Sequence, residues 1–375
     1  MRRAAVRFWL GLVVATNAGC SVSLPDPSSL EGAGPASDEF ITRSGTQLMV
    51  AGQPFRFAGG NMSWLILDEV GDGTHPSTRR IDEALDEARA MGHTAARSWA
   101  GTFGCAACVE PALGQFSDEG LSSLDYALKA ARDRGLRLVL SVVDNYSFPP
   151  WGGKPTFVAW RGVTEADFFS DPTVIQDVKD YITFVAGHVN PHTGLAYRDD
   201  PTIMAWATGS ELWCETCADN QWDGSWTRVI ADHLKSVAPR QLIIDGHASD
   251  PECHAGCLHE PSMDLASIDI VEDHFNALYV DRLRSDAATV QAHGKVYLIG
   301  RFFWADTSGD PLASFLTAVE ESVTAGDFFW FLQAHDDAGG VPTTGRDPLL
   351  YPGTDAAMTE AGELLAAHAA RMRAP

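Results

Sequence analysis

The sequence has little positive charge for its length. Its 375 residues include 27 Lys and Arg against 50 Asp and Glu, a formal net charge of −23 at pH 7. A surface this acidic repels phosphate backbones and anionic lipid head groups, which argues against nucleic acid and anionic membranes as partners. It is compatible with a neutral ligand, but an acidic surface that only aids solubility would explain it equally well.

Beyond its first twenty residues, the sequence also lacks an apolar run long enough to span a membrane. Residues 1–20 are typical of an export signal, with three arginines before the apolar run Phe8 to Ala15. We predict that Cys20 is lipidated, which gives an outer-membrane or cell-surface lipoprotein that meets the membrane only through this lipid. Ordinary signal cleavage and secretion is the alternative, because Asn17 replaces the usual aliphatic residue. Residues 21–38 are expected to form a flexible tether.

Six further cysteines fall into three close pairs: Cys105 with Cys108, Cys214 with Cys217, and Cys253 with Cys257. In an exported protein, an even set of paired cysteines is typical of disulfides. The first two pairs also have the Cys-x-x-Cys spacing of zinc ligands, which is the alternative interpretation. The oxidising compartment favours disulfides, and we predict neither a metal site nor an organic cofactor.

From about Phe40 onward, short β-rich runs alternate with amphipathic helical stretches, as in parallel α/β folds. Eight strands are predicted at Phe55–Gly60, Thr94–Trp99, Leu136–Val143, Thr202–Thr208, Leu242–Asp245, Ile268–His274, Val296–Gly300 and Phe328–Leu332. Helices are predicted at Arg79–Met91, Leu121–Arg134, Thr173–His188, Trp226–Val237, Pro311–Ala325 and Thr359–Arg371. The pattern predicts a single-domain (β/α)8 TIM barrel over residues 39–373, with a β-hairpin at Ile41–Pro54 below the barrel.

A glycine-rich phosphate turn is missing after the first predicted strand, where Gly60-Asn61-Met62-Ser63-Trp64 stands instead. A doubly wound open sheet that binds a nucleotide would carry such a turn at this point. Its absence and the eight repeated units favour the closed barrel. In a barrel of this kind the chemistry lies at the C-terminal ends of the strands.

The predicted strand ends combine indole rings with amide, imidazole and guanidinium groups. The candidate ligand-binding residues are Trp64, Arg97, Asn145, Ser210, His274, Asn276, Trp304 and Trp330. Flat faces of pyranose rings stack on aromatic side chains, and sugar hydroxyls need fixed hydrogen-bond partners. Core packing explains any single Trp, but several at one rim indicate a carbohydrate site.

The run Pro201-Thr202-Ile203-Met204-Ala205-Trp206, followed by Glu211, resembles the strand-four segment of family-5 glycoside hydrolases. The chain looks most like their endo-β-1,4-mannanase branch. Supporting segments are Phe57-Ala58-Gly59-Gly60-Asn61, Ala96-Arg97-Ser98-Trp99, Trp151-Gly152-Gly153 and the cysteine pair after Glu211. These matches extend from about Phe40 to Ala369.

The resemblance implies roles for four of these residues. Glu211 matches the general acid/base, and Arg97 matches the strand-two arginine that supports the nucleophile. His274 matches the strand-six histidine beside the cleaved bond, and Trp330 matches a tryptophan that forms a sugar platform. A β-mannan-like polysaccharide or oligosaccharide is therefore the expected partner, and we expect a monomer.

Three central positions depart from the family pattern. Ser210 replaces the Asn before the acid/base, and Asn276 replaces a Tyr on strand six. Arg301 stands where the strand-seven glutamate nucleophile is expected. A retaining glycosidase needs two carboxyl groups about 5–5.5 Å apart, and arginine has no nucleophilic lone pair to replace one of them. Beside Glu211, its charge is expected to lower the carboxyl pKa by about 1–3 units.

The sequence therefore predicts a protein that binds β-mannan or a related β-1,4-glycan, with an ion pair between Arg301 and Glu211 and with retaining hydrolysis lost. The alternative is an active endo-β-1,4-mannanase that uses Glu211 and a displaced carboxylate. Candidates for that carboxylate are Asp144, Glu272, Asp273, Asp306, Asp336 and Asp337. A third possibility is a decayed relative that binds nothing tightly, because a fold alone does not imply a function.

Overall fold

The structure is a computed structural model that describes residues 38–68, 73–147, 151–217, 224–247, 258–342 and 347–374. The predicted export signal with Cys20, the tether up to residue 37, and the pair Cys253 and Cys257 lie outside the described residues. Within the described ranges, no helix has the length and apolar character needed to cross a membrane.

A small antiparallel sheet begins the described chain, with strands β1 (Thr42–Ser44), β2 (Gln47–Val50) and β3 (Gln53–Phe55). The predicted hairpin is present in β1 and β2, and a third strand extends it. Ile41 and Leu48 pack in one buried cluster with residues at the starts of the barrel strands. The sheet therefore lies at the N-terminal end of the barrel, as predicted.

Eight parallel strands close into a barrel in chain order. They are β4 (Phe57–Asn61), β5 (Ala95–Trp99), β6 (Arg137–Ser141), β7 (Ile203–Ala207), β8 (Leu242–Ile244), β9 (Ile270–Phe275), β10 (Val296–Phe303) and β11 (Gly326–Trp330). Pairing between β11 and β4 completes the closure. The predicted (β/α)8 TIM barrel is confirmed, and all eight predicted strands are present with ends shifted by three residues at most.

The helices surround the barrel. They are α1 (Thr78–Ala90), α2 (Ser122–Asp133), α3 (Lys154–Arg161), α4 (Glu165–Phe168), α5 (Pro172–Gly187), α6 (Ser225–Val237), α7 (Glu260–Met263), α8 (Val280–Ala292), α9 (Leu312–Glu321) and α10 (Ala356–Met372). The six predicted helices are present. The prediction missed α3, α4, α7 and α8; in α8 the buried face includes Arg282 and Asp286, which weakens its apolar periodicity.

Candidate functional site

An arginine and a glutamate from two barrel strands meet at the floor of the C-terminal cleft. Arg97 on β5 donates from Nη1 to Glu272 Oε2 at 2.5 Å and from Nη2 to Oε1 at 3.1 Å. Arg97 Nε and Nη2 also donate to Ser141 Oγ, at 3.3 and 3.2 Å. The side chains of the pair are 1% and 0% exposed. Arg97, predicted to bind the ligand, therefore orders the floor beneath it.

His274 joins this floor to Glu211. It follows Glu272 by two residues on β9, so both side chains lie on the same face of the strand. His274 Nδ1 lies 2.8 Å from Glu211 Oε1, and Nε2 lies 3.7 Å from Glu272 Oε1. Glu211 has a φ of 56°, in the left-handed region. Such strain costs about 1–3 kcal/mol for a residue other than glycine and concentrates at functional sites.

Arg301 occupies the cleft side of Glu211. It follows a break in the register between β10 and β9, and bulges of this kind redirect side chains near active sites. Arg301 Nη1 lies 2.5 Å from Glu211 Oε1, and Nη2 donates to Asn276 Oδ1 at 2.5 Å. The predicted ion pair is confirmed. Two of the three departures from the family pattern, Arg301 and Asn276, thus contact each other directly.

Gly300, at this register break, leaves no space for a side chain. A Cβ built there would lie 2.4 Å from Glu272 Oε2, 2.5 Å from Arg97 Nη1 and 2.5 Å from His274 Nε2. The glycine lets these three polar groups approach the backbone and one another. Its carbonyl oxygen also accepts a hydrogen bond of 3.2 Å from Asn61 Nδ2 on β4.

The surroundings of Glu211 determine its charge. Burial by itself would raise the pKa of the carboxyl, but the positive charge of Arg301 and the hydrogen bond from His274 outweigh it and lower the pKa to about 2. The carboxyl is therefore ionised at neutral pH. A general acid must hold its proton there, so Arg301 opposes the acid role that the family pattern gives this residue.

Asp144 is a second carboxyl close to Glu211. It follows β6, and its backbone pairs with that of Ser210. Trp99 Nε1 donates to Asp144 Oδ2 at 2.7 Å, and the Tyr146 N–H donates to Oδ1 at 2.7 Å. Burial raises the pKa of Asp144 to about 7, and the charge of Glu211 also raises it. Near neutral pH this carboxyl is therefore partly protonated, unlike Glu211.

The other proposed carboxylates are engaged elsewhere. Glu272 is bound by Arg97, and Asp273 forms a buried ion pair with Arg282. The remaining three accept hydrogen bonds within their own loops or at the start of α1: Asp306, Asp336 and Asp337. Asp144 is thus the one of the six that lies beside the Glu211 segment without an arginine partner in the part of the chain described.

Two of the predicted aromatic residues keep part of their ring surface accessible. Trp330, at the end of β11, is half-buried and lies edge-on to Trp99 with ring centroids 6.1 Å apart. Trp304 is also half-buried, and its Nε1 donates to the Asp347 carbonyl at 2.7 Å. Both residues stand at or just after the C-terminal end of a strand at the open face, and their rings can offer a stacking surface to a sugar.

Trp64 differs from these two rings. Its side chain is 0% exposed, its Nε1 donates to the Leu332 carbonyl at 3.0 Å, and the Arg80 guanidinium lies 4.9 Å from its ring centroid. A ring without exposed surface cannot stack on a ligand. Trp64 was predicted at the site because it follows the first strand, but it packs in the core and we leave it out of the site.

Asn145 and Ser210 brace the segment that includes Glu211. Both are buried, and the Asn145 side chain accepts a hydrogen bond of 3.1 Å from the Trp213 N–H. Ser210 N–H donates to the Val143 carbonyl at 2.8 Å. Lys154 Nζ also donates to the Trp213 carbonyl at 2.7 Å. Asn145 and Ser210 were predicted to bind ligand, but their contacts support the backbone of the segment that includes Glu211.

Two disulfides lie in loops at this end of the barrel, Cys105 with Cys108 and Cys214 with Cys217. The disulfide prediction is confirmed for both pairs, so these four cysteines do not form the alternative zinc site. Cys214 lies three residues after Glu211, and its disulfide closes the same segment that Asn145 and Lys154 brace.

Two residues at the site, Gly300 and Tyr146, were not predicted from the sequence, and Glu272 was predicted only as a possible displaced carboxylate. Its place beside His274 could have been found from its spacing, since the two residues alternate on one strand face. Gly300 gave no signal, because the crowding around it depends on three strands. Tyr146 lies close enough to Glu211 for that charge, together with the larger effect of burial, to raise the phenol pKa to about 12.

Comparisons with known proteins bear on the family and the fold of the chain. The family described as "GH family 5 beta-mannosidase-like" matches residues 38–313. A rice (Oryza sativa subsp. japonica) protein described as putative mannan endo-1,4-beta-mannosidase 5 is 33% identical over 265 residues, covering 65% of this chain and 53% of the rice protein. Another rice protein, mannan endo-1,4-beta-mannosidase 8, is 31% identical over 256 residues, covering 61% of this chain and 68% of that protein.

Solved structures show the same fold. The endo-1,4-beta-mannanase from Rhizomucor miehei superposes with a TM-score of 0.72 at 21% identity, covering 89% of this chain and 99% of that one. The endo-beta-1,4-mannanase from Thermotoga petrophila gives a TM-score of 0.70 at 23% identity, covering 87% and 78%. At these identities the likeness concerns the fold. The chain also matches only about half the length of the first rice relative.

Proposed function

The chain belongs to the GH family 5 beta-mannosidase-like family. We propose that this protein binds a β-mannan-like β-1,4-glycan in its cleft and does not hydrolyse it by the retaining mechanism. The observation that carries the proposal is the contact between Arg301 and Glu211, 2.5 Å apart at the two positions where the family pattern has two carboxyl groups.

This contact removes both halves of the retaining mechanism. Attack on the anomeric carbon needs a carboxylate, and a guanidinium has no lone pair available for it. The positive charge also disfavours an oxocarbenium-like transition state. With its pKa lowered to about 2 by Arg301 and His274 against the effect of burial, Glu211 cannot hold the proton that the leaving oxygen needs.

The features that would bind a sugar remain. Trp330 and Trp304 are half-buried rings at the open face, and Arg301 and Asn276 carry hydrogen-bonding groups in the cleft. Neutral polysaccharide also suits a chain with a net charge of −23, which would repel an anionic polymer. Mannan enters this proposal through the rice relatives, which are described as mannan endo-1,4-beta-mannosidases.

Affinity electrophoresis of the full chain tests the proposal. Gels would contain galactomannan, glucomannan, xylan or hydroxyethylcellulose, and we expect the mannan gels to retard the protein most. A Trp330→Ala variant should lose most of that retardation, because burying the apolar face of one sugar against the ring contributes about 1–3 kcal/mol to the free energy of binding. The matched control is Trp160→Ala, since this ring lies on α3 against Phe157. Absence of retardation in every gel would favour the decayed relative.

Hydrolysis is measured in parallel. Reducing ends released from the same polymers by the wild type should not exceed those released by a Glu211→Gln variant. Release above that control would show that the cleft still cuts, and would sink the binding-only proposal.

One observation favours the active alternative. Asp144 is partly protonated near neutral pH and Glu211 is ionised, and two carboxyls with opposite protonation are the arrangement of an acid and a base. An inverting mechanism tolerates carboxyl groups roughly 6.5–9.5 Å apart. If the wild type does release reducing ends, Asp144→Asn should abolish that release, and the anomer first formed should be inverted.

A gain-of-function variant tests the descent of the cleft. Arg301→Glu combined with Ser210→Asn and Asn276→Tyr restores the residues of the family pattern at the three positions that depart from it. We expect this triple variant to acquire retaining mannanase activity. Arg301→Glu with Glu211→Gln provides the control, because it restores one carboxyl while removing the other.

Export and lipidation belong to the proposal as well. Residues 1–20 have the pattern of an export signal, and Cys20 is the residue proposed to take the lipid. Labelling of the expressed protein with a fatty-acid analogue tests this, with Cys20→Ser as the control. A label that persists in Cys20→Ser, or no label in the wild type, contradicts lipidation at Cys20.

A further inference from the structure

Three potential metal ligands meet outside the cleft, between α1 and the connection from β11 to α10. Glu83 and Glu87 are four residues apart on α1, so their side chains lie on one face of the helix. His335 lies five residues beyond the end of β11. One ligand atom from each residue lies within 4.8 Å of the other two, and all three side chains are half-buried.

The donor set separates this cluster from an ordinary acidic patch. An imidazole nitrogen with two carboxylates is a combination that zinc uses, whereas calcium and magnesium prefer oxygen ligands throughout. His335 Nδ1 already lies 2.5 Å from Glu83 Oε1. In a tetrahedral site with bonds of about 2.0–2.2 Å, neighbouring ligand atoms lie about 3.4 Å apart. Side-chain adjustments of about 1 Å would therefore suffice to admit the ion.

Among the charged groups that the structure describes around the cluster, one carboxylate lacks a lysine or arginine partner. Arg79 Nη1 pairs with Glu83 Oε2 at 2.7 Å. Among the described residues, no lysine or arginine pairs with Glu87, whose Oε2 accepts a hydrogen bond of 3.0 Å from the Tyr351 N–H. A divalent ion would supply the missing positive charge.

Hydrogen bonds outside the donor atoms hold the ligands in position. Arg79 Nη2 donates to the His335 carbonyl at 3.0 Å, and the Tyr351 N–H orients Glu87. Outer contacts of this kind fix the orientation of metal ligands and raise affinity. The two contacts come from different elements, since Arg79 is on α1 and Tyr351 is in the connection from β11 to α10.

We propose that Glu83, Glu87 and His335 bind one Zn²⁺ ion, with water as a further ligand, and that the ion fastens the connection between β11 and α10 to α1. The same connection provides the Asp347 carbonyl that accepts the Trp304 N–H. The ion would thus stabilise one wall of the cleft. The proposal does not depend on glycan binding or on catalysis.

Zinc titration by calorimetry of the full chain, first treated with a chelator, tests the proposal. We expect one wild-type site that Glu87→Gln and His335→Ala each weaken by at least about tenfold, since even outer-sphere changes weaken metal binding by 10–100-fold. His293→Ala is the matched control, because His293 is an accessible histidine paired with Asp264 elsewhere on the surface. Zinc should raise the unfolding temperature of the wild type and of His293→Ala, but not of Glu87→Gln.

Glu87→Gln keeps the size of the side chain and an acceptor for the Tyr351 N–H, so it should fold normally, as a melting curve without metal would show. His335→Ala provides a second variant on a different element. Three results would each overturn the proposal: no zinc bound by the wild type, unchanged zinc affinity in both variants, or a preference for calcium over zinc.

Discussion

Two arginine–glutamate pairs lie in the same cleft at different depths. Arg97 and Glu272 are 1% and 0% exposed, and Arg301 and Glu211 are 16% and 13% exposed. His274 contacts both glutamates, from opposite nitrogens of its ring. The inner pair is fixed by Ser141 and the crowding at Gly300, whereas the outer pair keeps access to water. Of these two pairs, only the outer one is therefore accessible to a ligand.

The difference in depth separates structural from functional use of the same chemistry. Two charges taken fully out of water lose several kcal/mol of hydration each, and their attraction offsets this only while both partners are present. An ion pair that retains contact with water depends less on its partner, because water and a polar ligand can replace it. Depth thus predicts which pair the fold requires and which pair a ligand can rearrange.

The largest effect is expected when the inner pair is broken. Arg97→Ala leaves the Glu272 carboxylate buried without its guanidinium partner, and removal of one partner from a buried pair typically costs about 3–5 kcal/mol. Urea denaturation of the variant should show that loss in the free energy of unfolding. A loss below about 1 kcal/mol would mean that the inner pair is not structurally required.

Asp144 sharpens the comparison, since it is buried at the same rim without an arginine partner. Its folded pKa of about 7 lies above the ordinary value of 3.8, mainly because of burial. The unfolded chain therefore releases this proton first, and the carboxyl lowers stability progressively as the pH rises from about 4 to 7. The full difference corresponds to at most about 4 kcal/mol.

An Asp144→Asn variant removes this ionisation while keeping one acceptor for the Trp99 N–H. The difference in free energy of unfolding between this variant and the wild type should shift in favour of the variant by about 2–4 kcal/mol as the pH rises from 4 to 7. Urea denaturation across that pH range measures the trend. A constant difference between the two proteins would show that Asp144 ionises normally in the fold.

Breaking the outer pair should have a smaller effect with the opposite pH dependence. The folded pKa of Glu211 is about 2, below its usual 4.5, because Arg301 and His274 outweigh burial. Its contribution is therefore present above about pH 4.5 and is lost as the pH falls towards 2. Arg301→Ala should lower wild-type stability by about 1–2 kcal/mol at pH 7, and the deficit should shrink below pH 4.5. Asn276→Ala, which removes only the second contact of Arg301, provides the control.

The sequence predicted the pair that a ligand can reach but not the pair beneath it. Arg301 and Glu211 both follow predicted strands, and parallel strand ends converge at one face of a barrel, so their contact could be inferred. The link between Arg97 and Glu272 depends on a register break at Gly300 and on side-chain depth, neither of which has a local pattern. Burial was misjudged for the same reason at Trp64, which is covered by Arg80 and the segment after β11.

The smallest effect is expected for a pair that lies entirely at the surface. Arg284 and Glu321 join α8 to α9 at 3.5 Å, with side chains 55% and 65% exposed. Water solvates both groups whether or not they meet, and holding two long side chains together costs conformational entropy. Arg284→Ala should therefore change the free energy of unfolding by less than about 0.5 kcal/mol, under the same urea conditions as Arg97→Ala. If this change matched that of Arg97→Ala, depth would not be the variable that separates the ion pairs of this protein.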